Sequence, residues 1–186
     1  MAHTFDVSMA DRLEDASRYR YCSREELVAL VDPAPGDRIL DAGSGTGFYT
    51  RDLAPFAGTV VGIDVQRGMH ELFSEHGVPA NVSRVTADVE ALPLSASAFD
   101  AAVTTMTFHE IATDAGLAEL ARTIRPGGRF AVVDWTANGN GESGPPLGER
   151  ETGDGAASML EAAGFAIEVL QERPETFVLV AVAEER

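Results

Sequence analysis

Residues 39–50 read Ile-Leu-Asp-Ala-Gly-Ser-Gly-Thr-Gly-Phe-Tyr-Thr. An apolar run enters from Arg38, an acid follows at Asp41, and glycines then fall at every second position, Gly43, Gly45 and Gly47. The pattern predicts a buried parallel strand ending in a tight turn, with a helix starting near Thr46. Glycine carries no Cβ, so such a turn lets the backbone approach a ligand closely. The N-terminus of the following helix offers free N–H groups and partial positive charge to a carboxylate or phosphate. The strand-to-helix context reads as a nucleotide-cofactor loop; the bland alternative is a glycine-rich turn with no ligand.

Spacing narrows the cofactor. The dinucleotide fingerprint is G-x-G-x-x-G, with its third glycine three residues after the second. Here Phe48 holds that position, and the third glycine comes one residue early. An acid two residues before Gly43 is also foreign to that fingerprint, so an NAD-type oxidoreductase is the weaker reading. The arrangement D-x-G-x-G-x-G resembles the first motif of class I S-adenosylmethionine (SAM) dependent methyltransferases. The resemblance implies that Asp41 sits near the SAM ammonium and that the loop of Gly43, Ser44, Gly45 and Gly47 wraps the methionine portion.

Three further features follow in order. Val60-Val61-Gly62-Ile63-Asp64 is a short β-branched run ending in an acid, 17 residues after Gly47. That is close to the offset of about 20 expected of the acid that holds ribose hydroxyls in a βαβ nucleotide site. A carboxylate can accept two hydrogen bonds from a cis-diol; the other reading of Asp64 is a cap for the helix that follows. By the resemblance, Val65 and Gln66 flank the adenine. Val85-Thr86-Ala87-Asp88-Val89 is a second such run, in which the resemblance assigns Asp88 to the adenine amino group and Val89 to the ring face. Phe99-Asp100 resembles the family's entry to its fourth strand, whose far end, at Thr105, faces the ligand crevice of an open α/β sheet. Arg125-Pro126-Gly127-Gly128 resembles the family's helix stop before the fifth strand.

Composition agrees with one α/β domain over residues 1–186. The length suits a single core, and no apolar run is long enough to span a bilayer. Residues 1–8 lack a basic region followed by an apolar stretch, so no secretory signal is expected. The lone Cys22 suits a reducing cytoplasm, and no Cys/His set has zinc spacing, so no metal is expected. Formal net charge is −16, and every basic residue is arginine or histidine. So acidic a surface repels DNA, RNA and anionic membranes at ordinary ionic strength. Acidic, lysine-free chains also suit halophilic life in concentrated salt, where a Debye length near ~3 Å at 1 M removes most such repulsion; a codon bias against lysine would look the same.

The coarse order of elements is an alternation of strands and helices. Two hydroxyl-plus-acid capping boxes, at Ser8/Asp11 and Ser23/Glu26, predict helices over 8–18 and 24–31. Strands are expected over 38–42, 59–64, 82–87, 99–106 and 129–134, and helices over 46–53, 66–76 and 114–123. A Gly/Asn/Pro-rich loop covers 136–150. Asp154 is a candidate cap for a last helix ending at Gly164, and strands over 165–172 and 176–183 form a hairpin. The resemblance supplies the rest of the fold: a Rossmann-like, seven-stranded, mostly parallel sheet of order 3-2-1-4-5-7-6 with helices on both faces.

Methyl transfer is an in-line displacement on an already activated sulfonium, so orientation can supply much of the acceleration, with effective molarities of roughly 10⁵–10⁸ M. A base is needed only if the acceptor must lose a proton. His109, just after the fourth strand, is the first candidate, and Glu110 the second; both also suit polar contacts at a helix entry. Asp134 and Trp135 end the fifth strand as the far wall. Tyr19 and Tyr21 end the N-terminal helical region, 1–31, which the resemblance makes a lid over SAM. Pro145-Pro146 stiffens the loop over the acceptor site and helps fix Arg150, which would meet an acidic acceptor, Asp134, or a surface carboxylate. With no large insertion to recognise a macromolecule, the expected partner is a small-molecule acceptor, and the product S-adenosylhomocysteine. The motifs look most like quinone-biosynthesis and small-metabolite methyltransferases; a SAM-binding protein without turnover is the reading from a different class. Neither the acceptor nor the oligomeric state is legible.

Overall fold

Along the central strands, side chains alternate between two apolar clusters. Ile39, Val103, Ala131 and Val133 belong to one, and Leu40, Ala102, Phe130 and Val132 to the other. A strand buried on both faces needs apolar residues at every position, which is why these runs are continuous rather than alternating. The computed structural model describes residues 5–185; the first residues of the region read above as signal-free and as part of the lid lie outside the described residues.

The elements run β1 (Arg38–Ala42), α2 (Phe48–Leu53), β2 (Thr59–Asp64), α3 (Arg67–His76), β3 (Val82–Thr86), β4 (Phe99–Thr105), α4 (Phe108–Ile111), α5 (Asp114–Thr123), β5 (Ile124–Trp135), α6 (Gly153–Ala162), β6 (Phe165–Glu172) and β7 (Thr176–Ala183), with α1 (Arg24–Val31) before β1. The sheet order is β3-β2-β1-β4-β5-β7-β6, parallel except where β7 pairs with β5 and β6. This is the fold expected. Helices α1 and α2 pack with one cluster, α5 and α6 with the other. The chain leaves β1 toward β2 and β3, then returns to β4 on the other side of β1. Ligands in open α/β sheets bind outside the strand C-termini at such a reversal.

Local departures have physical causes. The expected helix over 8–18 is two 3-10 segments, Val7–Glu14 and Ala16–Arg20. Asp6 accepts from the Ser8 N–H and Asp15 from the Ser17 N–H, so Ser8 is not the cap and Asp15 divides the stretch. Short polar side chains bond nearby backbone in competition with the helix, and Ala10 is the one buried side chain in the two segments. Ser23 does cap α1, accepting from the Glu26 N–H. The helix after the glycine loop starts at Phe48 rather than Thr46, because Gly47 has φ +82. Thr152, not Asp154, caps α6. Arg125–Gly128 interrupts rather than precedes β5: the pairing with β4 starts at Phe99–Ile124 and shifts register before Ala101–Arg129. The four-residue α4 had no sequence signal of its own.

Candidate functional site

The reversal between β1 and β4 is bounded by the glycine loop on one side and by residues 105–110 on the other. A Cβ on Gly43 would lie 2.3 Å from Thr107 Cγ2, and one on Gly47 2.3 Å from the Phe73 ring, both at positive φ. Close packing of the protein on itself therefore demands these two glycines. Gly45 instead faces the N-terminal segment, with Leu13 Cδ1 3.7 Å from its would-be Cβ. Ser44 turns inward to His70, Oγ to Nε2 3.3 Å. The loop N–H groups are largely spent: Gly43 and Ser44 donate to Ile63 O, Gly47 to Ser44 O, and Gly45 to Asp64 Oδ2.

Asp41 ends β1 beneath this loop with 2% of its surface exposed. Its Oδ2 accepts from the Thr50 hydroxyl at 2.5 Å, while Oδ1 is buried with no partner among the described residues. Burial pushes its pKa up to about 6, opposed by the Thr50 hydroxyl, with the Asp64 carboxylate adding to the rise and Arg18 opposing it. A buried carboxylate oxygen without a partner is costly. That bare oxygen beside the glycine loop is what an ammonium would satisfy, so the residues present fit the amino-acid end of SAM.

Asp64 ties β2 to the loop: Oδ2 accepts from Gly45 N at 2.9 Å and Oδ1 from Gln66 N at 2.8 Å. Burial raises its pKa against both N–H groups. Each carboxylate oxygen keeps a second lone pair, so a diol remains compatible with this bracing role. Gln66 Nε2 donates to Phe5 O, and Val65 beside it is exposed. Asp88 caps a 3-10 turn, accepting from Glu90 N, and Val89 is buried against the core. Thr105 is buried at the end of β4.

Beyond Thr105 the chain turns sharply, with Met106 left-handed at φ 58. A non-glycine residue there carries strain of about 1–3 kcal/mol, a feature that clusters at functional sites. The turn starts α4 so that its second residue meets the end of the neighbouring strand. Asp134 Oδ2 accepts from His109 N at 2.6 Å and from His109 Nδ1 at 2.9 Å, and Oδ1 accepts from Trp135 N at 2.8 Å. The carboxylate thereby fixes the imidazole with Nδ1–H toward Asp134 and turns Nε2 toward Glu110, 3.8 Å from its Oε1. Burial pulls the His109 pKa down, but the Asp134 hydrogen bond and charge, with Glu110 and Glu149, outweigh it and raise the pKa above the ordinary histidine value. Burial raises the pKa of Glu110, opposed by His109 and by the Phe5 N–H, with Asp64 and Asp134 adding to the rise.

The N-terminal segment packs across these strand ends. Phe5 reaches Gln66 and Glu110, Glu14 accepts from the Thr46 hydroxyl at 2.5 Å and pairs with Arg51, and Arg18 stacks over Phe48 and Tyr49. The two tyrosines part company. Tyr19 turns to α2, donating to Asp52 Oδ2 at 2.8 Å. Tyr21 packs edge-on to Trp135, ring centroids 4.7 Å apart, and Arg20 bridges to Ser143 in the 136–150 loop. Arg150 is neither a surface ion pair nor a partner of Asp134. Its side chain is 1% exposed and its donors serve Pro145 O, Ser143 O, Thr136 O and Glu175.

The structure thus brings Asp41, the glycine loop, Asp64, Gln66, Thr105, His109, Glu110, Tyr21 and Trp135 to the C-terminal ends of the parallel strands and the loops that leave them. It turns Tyr19 and Arg150 to scaffold contacts. Sequence reasoning missed Thr50 and Arg18, which have no periodic signal, and missed Asp134 as the partner of His109. The expected order made strands four and five neighbours, but the contact also depends on their register and on the left-handed turn at Met106.

The family model described as methyltransferase domain matches residues 40–132, half of the chain. The chain is 35% identical over 114 residues to the demethylmenaquinone methyltransferase of Corynebacterium kroppenstedtii, covering 61% of this chain and 48% of that protein. It is 34% identical over 118 residues to that of Mycobacterium sp. strain KMS, covering 63% and 50%. It therefore spans about half the length of the curated relatives it matches. A SAM-dependent methyltransferase from Aquifex aeolicus superposes with TM-score 0.86 at 28% identity, covering 96% of this chain and 98% of that one. The [4+2]-cyclase SpnF superposes with TM-score 0.77 at 20% identity, covering 87% and 79%, a likeness of fold alone. The motif, the sheet order, the bare oxygen of Asp41 and these matches lead to one conclusion: the chain belongs to the methyltransferase-domain family of class I, SAM-dependent methyltransferases.

Proposed function

We propose that this chain transfers a methyl group from SAM to a small-molecule acceptor that must lose a hydroxyl proton to react, such as a phenol, an enol or a hydroquinone. The observation that carries this reading is the His109–Asp134 pair, 2.9 Å apart at the joined ends of β4 and β5. SAM supplies the electrophilic methyl when bound. His109 Nε2 takes the acceptor proton, and Asp134 holds the ring in the tautomer that leaves Nε2 open. Asp41 takes the SAM ammonium, Asp64 the ribose, and Gln66, Val65, Asp88 and Val89 the adenine side. Residues 1–31 act as lid and 136–150 as acceptor wall, with Tyr21 and Trp135 at their junction.

A hydroquinone fits the names of the curated relatives, and either its oxygen or a ring carbon becomes nucleophilic once the proton leaves. The fully buried, unpaired Cys22 supports a reducing, cytoplasmic setting. The test is turnover with a panel of phenols and reduced naphthoquinones against pH. His109→Gln is expected to lower kcat roughly 10²–10⁴-fold, the usual worth of a general base, with SAM affinity retained. Unchanged kcat with an accepted substrate would remove His109 from the chemistry.

A further inference from the structure

His70, on α3, is a buried ionisable side chain that the reaction proposed above does not use. Burying an imidazole is costly unless its nitrogens are hydrogen-bonded, and here both are. Nε2 lies 3.3 Å from Ser44 Oγ in the glycine loop, and Nδ1 3.1 Å from Thr86 Oγ1 at the end of β3. A neutral imidazole has one donor and one acceptor nitrogen, and each hydroxyl can play either part, so the chain Ser44–His70–Thr86 is satisfied without charge. Burial and the Arg84 guanidinium hold the His70 pKa below the ordinary histidine value, which keeps the ring neutral. Arg84, from β3, donates to His70 O and to the Ser74 hydroxyl, tying α3 to the sheet edge.

The same face of α3 meets the glycine loop a second time. Phe73, three residues on and fully buried, packs under Gly47. Gly62 of β2 leaves the space that Ser44 fills: a Cβ there would lie 2.8 Å from Ser44 Oγ. Ser44 is thereby held between β2 and α3. It also stands between two left-handed glycines, Gly43 at φ 78 and Gly45 at φ 54. Glycines have other conformations open to them, so a side-chain anchor between the two fixes the path of the loop. The next N–H, of Gly45, is the one that Asp64 Oδ2 accepts.

We infer that His70 is a positioning residue for cofactor binding: through Ser44 it fixes the glycine loop in the form that receives SAM, while Thr86 steadies the ring from β3. The inference rests on the cofactor assignment above. His70 touches the loop and not the ligand.

Asparagine and glutamine separate its two contacts, because an asparagine amide reaches roughly where Nδ1 stands and a glutamine amide roughly where Nε2 stands. The experiment is calorimetric titration with S-adenosylhomocysteine, and thermal unfolding, of wild type, His70→Gln, His70→Asn, Ser44→Ala and the His70→Asn/Ser44→Ala double variant. His70→Gln should bind within about twofold of wild type, whereas His70→Asn and Ser44→Ala should each lose about fivefold to tenfold. The double variant should lose no more than either single one, since both break the same contact. Tm should fall similarly in the two His70 variants, so that affinity follows the Ser44 contact and not stability. Unchanged affinity in His70→Asn, equal losses in both His70 variants, or additive losses in the double variant would overturn the inference and leave the cofactor assignment standing. Should His70→Asn not fold, Thr86→Val frees the same ring from β3: a loss with Ser44 present and none beside Ser44→Ala is expected, and a loss in both backgrounds or in neither overturns the inference. No binding by folded wild type would overturn both.

Discussion

Buried in the interior, the carboxylate of Asp41 has one oxygen on a hydroxyl and the other without a partner among the described residues. Its folded-state pKa of about 6 lies above the ordinary 3.8. Between those values the folded chain holds a proton that the unfolded chain has released. The group's stability contribution is therefore full below about pH 4 and lost as the pH rises through 6, a penalty on the order of 3 kcal/mol at neutral pH. Asp41→Asn should be more stable than wild type at pH 7.5 by roughly 1–3 kcal/mol, with the difference shrinking toward pH 4, while S-adenosylhomocysteine binding falls at least about tenfold. Denaturant unfolding at both pH values and calorimetry check the pair; a less stable variant that binds normally would refute it. His109 differs, because its partners hold the charged form. Its raised pKa shifts the base form to higher pH than in an ordinary histidine, so under the proposed role the climb of kcat/KM with pH should be displaced upward. Asp134→Asn removes the main support of the imidazolium, which should move the climb to lower pH and lower the plateau. A profile that stays in place would mean Asp134 is structural only.

Among the elements, legibility followed burial. Strands covered on both faces, such as Ala101–Val103 and Phe130–Val133, are apolar at consecutive positions and were readable from those runs. The stretch 7–20 carries almost no buried side chain, so nothing fixed its period, and Asp6 and Asp15 decided its 3-10 form locally. Arg150 was misread for a related reason: the carbonyls of Pro145, Ser143 and Thr136 that surround it belong to a loop whose path no motif encodes. That guanidinium, stacked 5.6 Å from the Trp135 ring centroid, pins the 136–150 loop, the proposed acceptor wall. Arg150→Met should leave buried carbonyls and Glu175 without their donor and cost about 3 kcal/mol. Hydrogen exchange should quicken over 136–150 before it does in β5 or β7; uniform quickening would place the residue in the global core instead.

For the whole molecule, strand order came with the family resemblance, since alternation alone does not say where β4 returns. The site at the β1/β4 reversal followed from that order, whereas the His109–Asp134 contact needed the register of two strands and the left-handed turn at Met106. Net charge of −16 spread over 186 residues opposes compaction. Raising KCl from 0.1 to 1 M shortens the Debye length from about 10 to about 3 Å, so Tm should rise across that range. A flat or falling Tm would mean that ion pairs such as Arg173–Glu26 and Arg51–Glu14 matter more than the repulsion.

Every role proposed for these residues depends on SAM binding at the β1/β4 reversal. Calorimetric titration of the purified chain with SAM, S-adenosylhomocysteine and NAD tests that directly. Saturable one-site binding of both adenosyl thioligands, with no heat from NAD, is the predicted result. No adenosyl binding by a chain whose fold is verified by circular dichroism, in 0.1 M or in molar KCl, would contradict it.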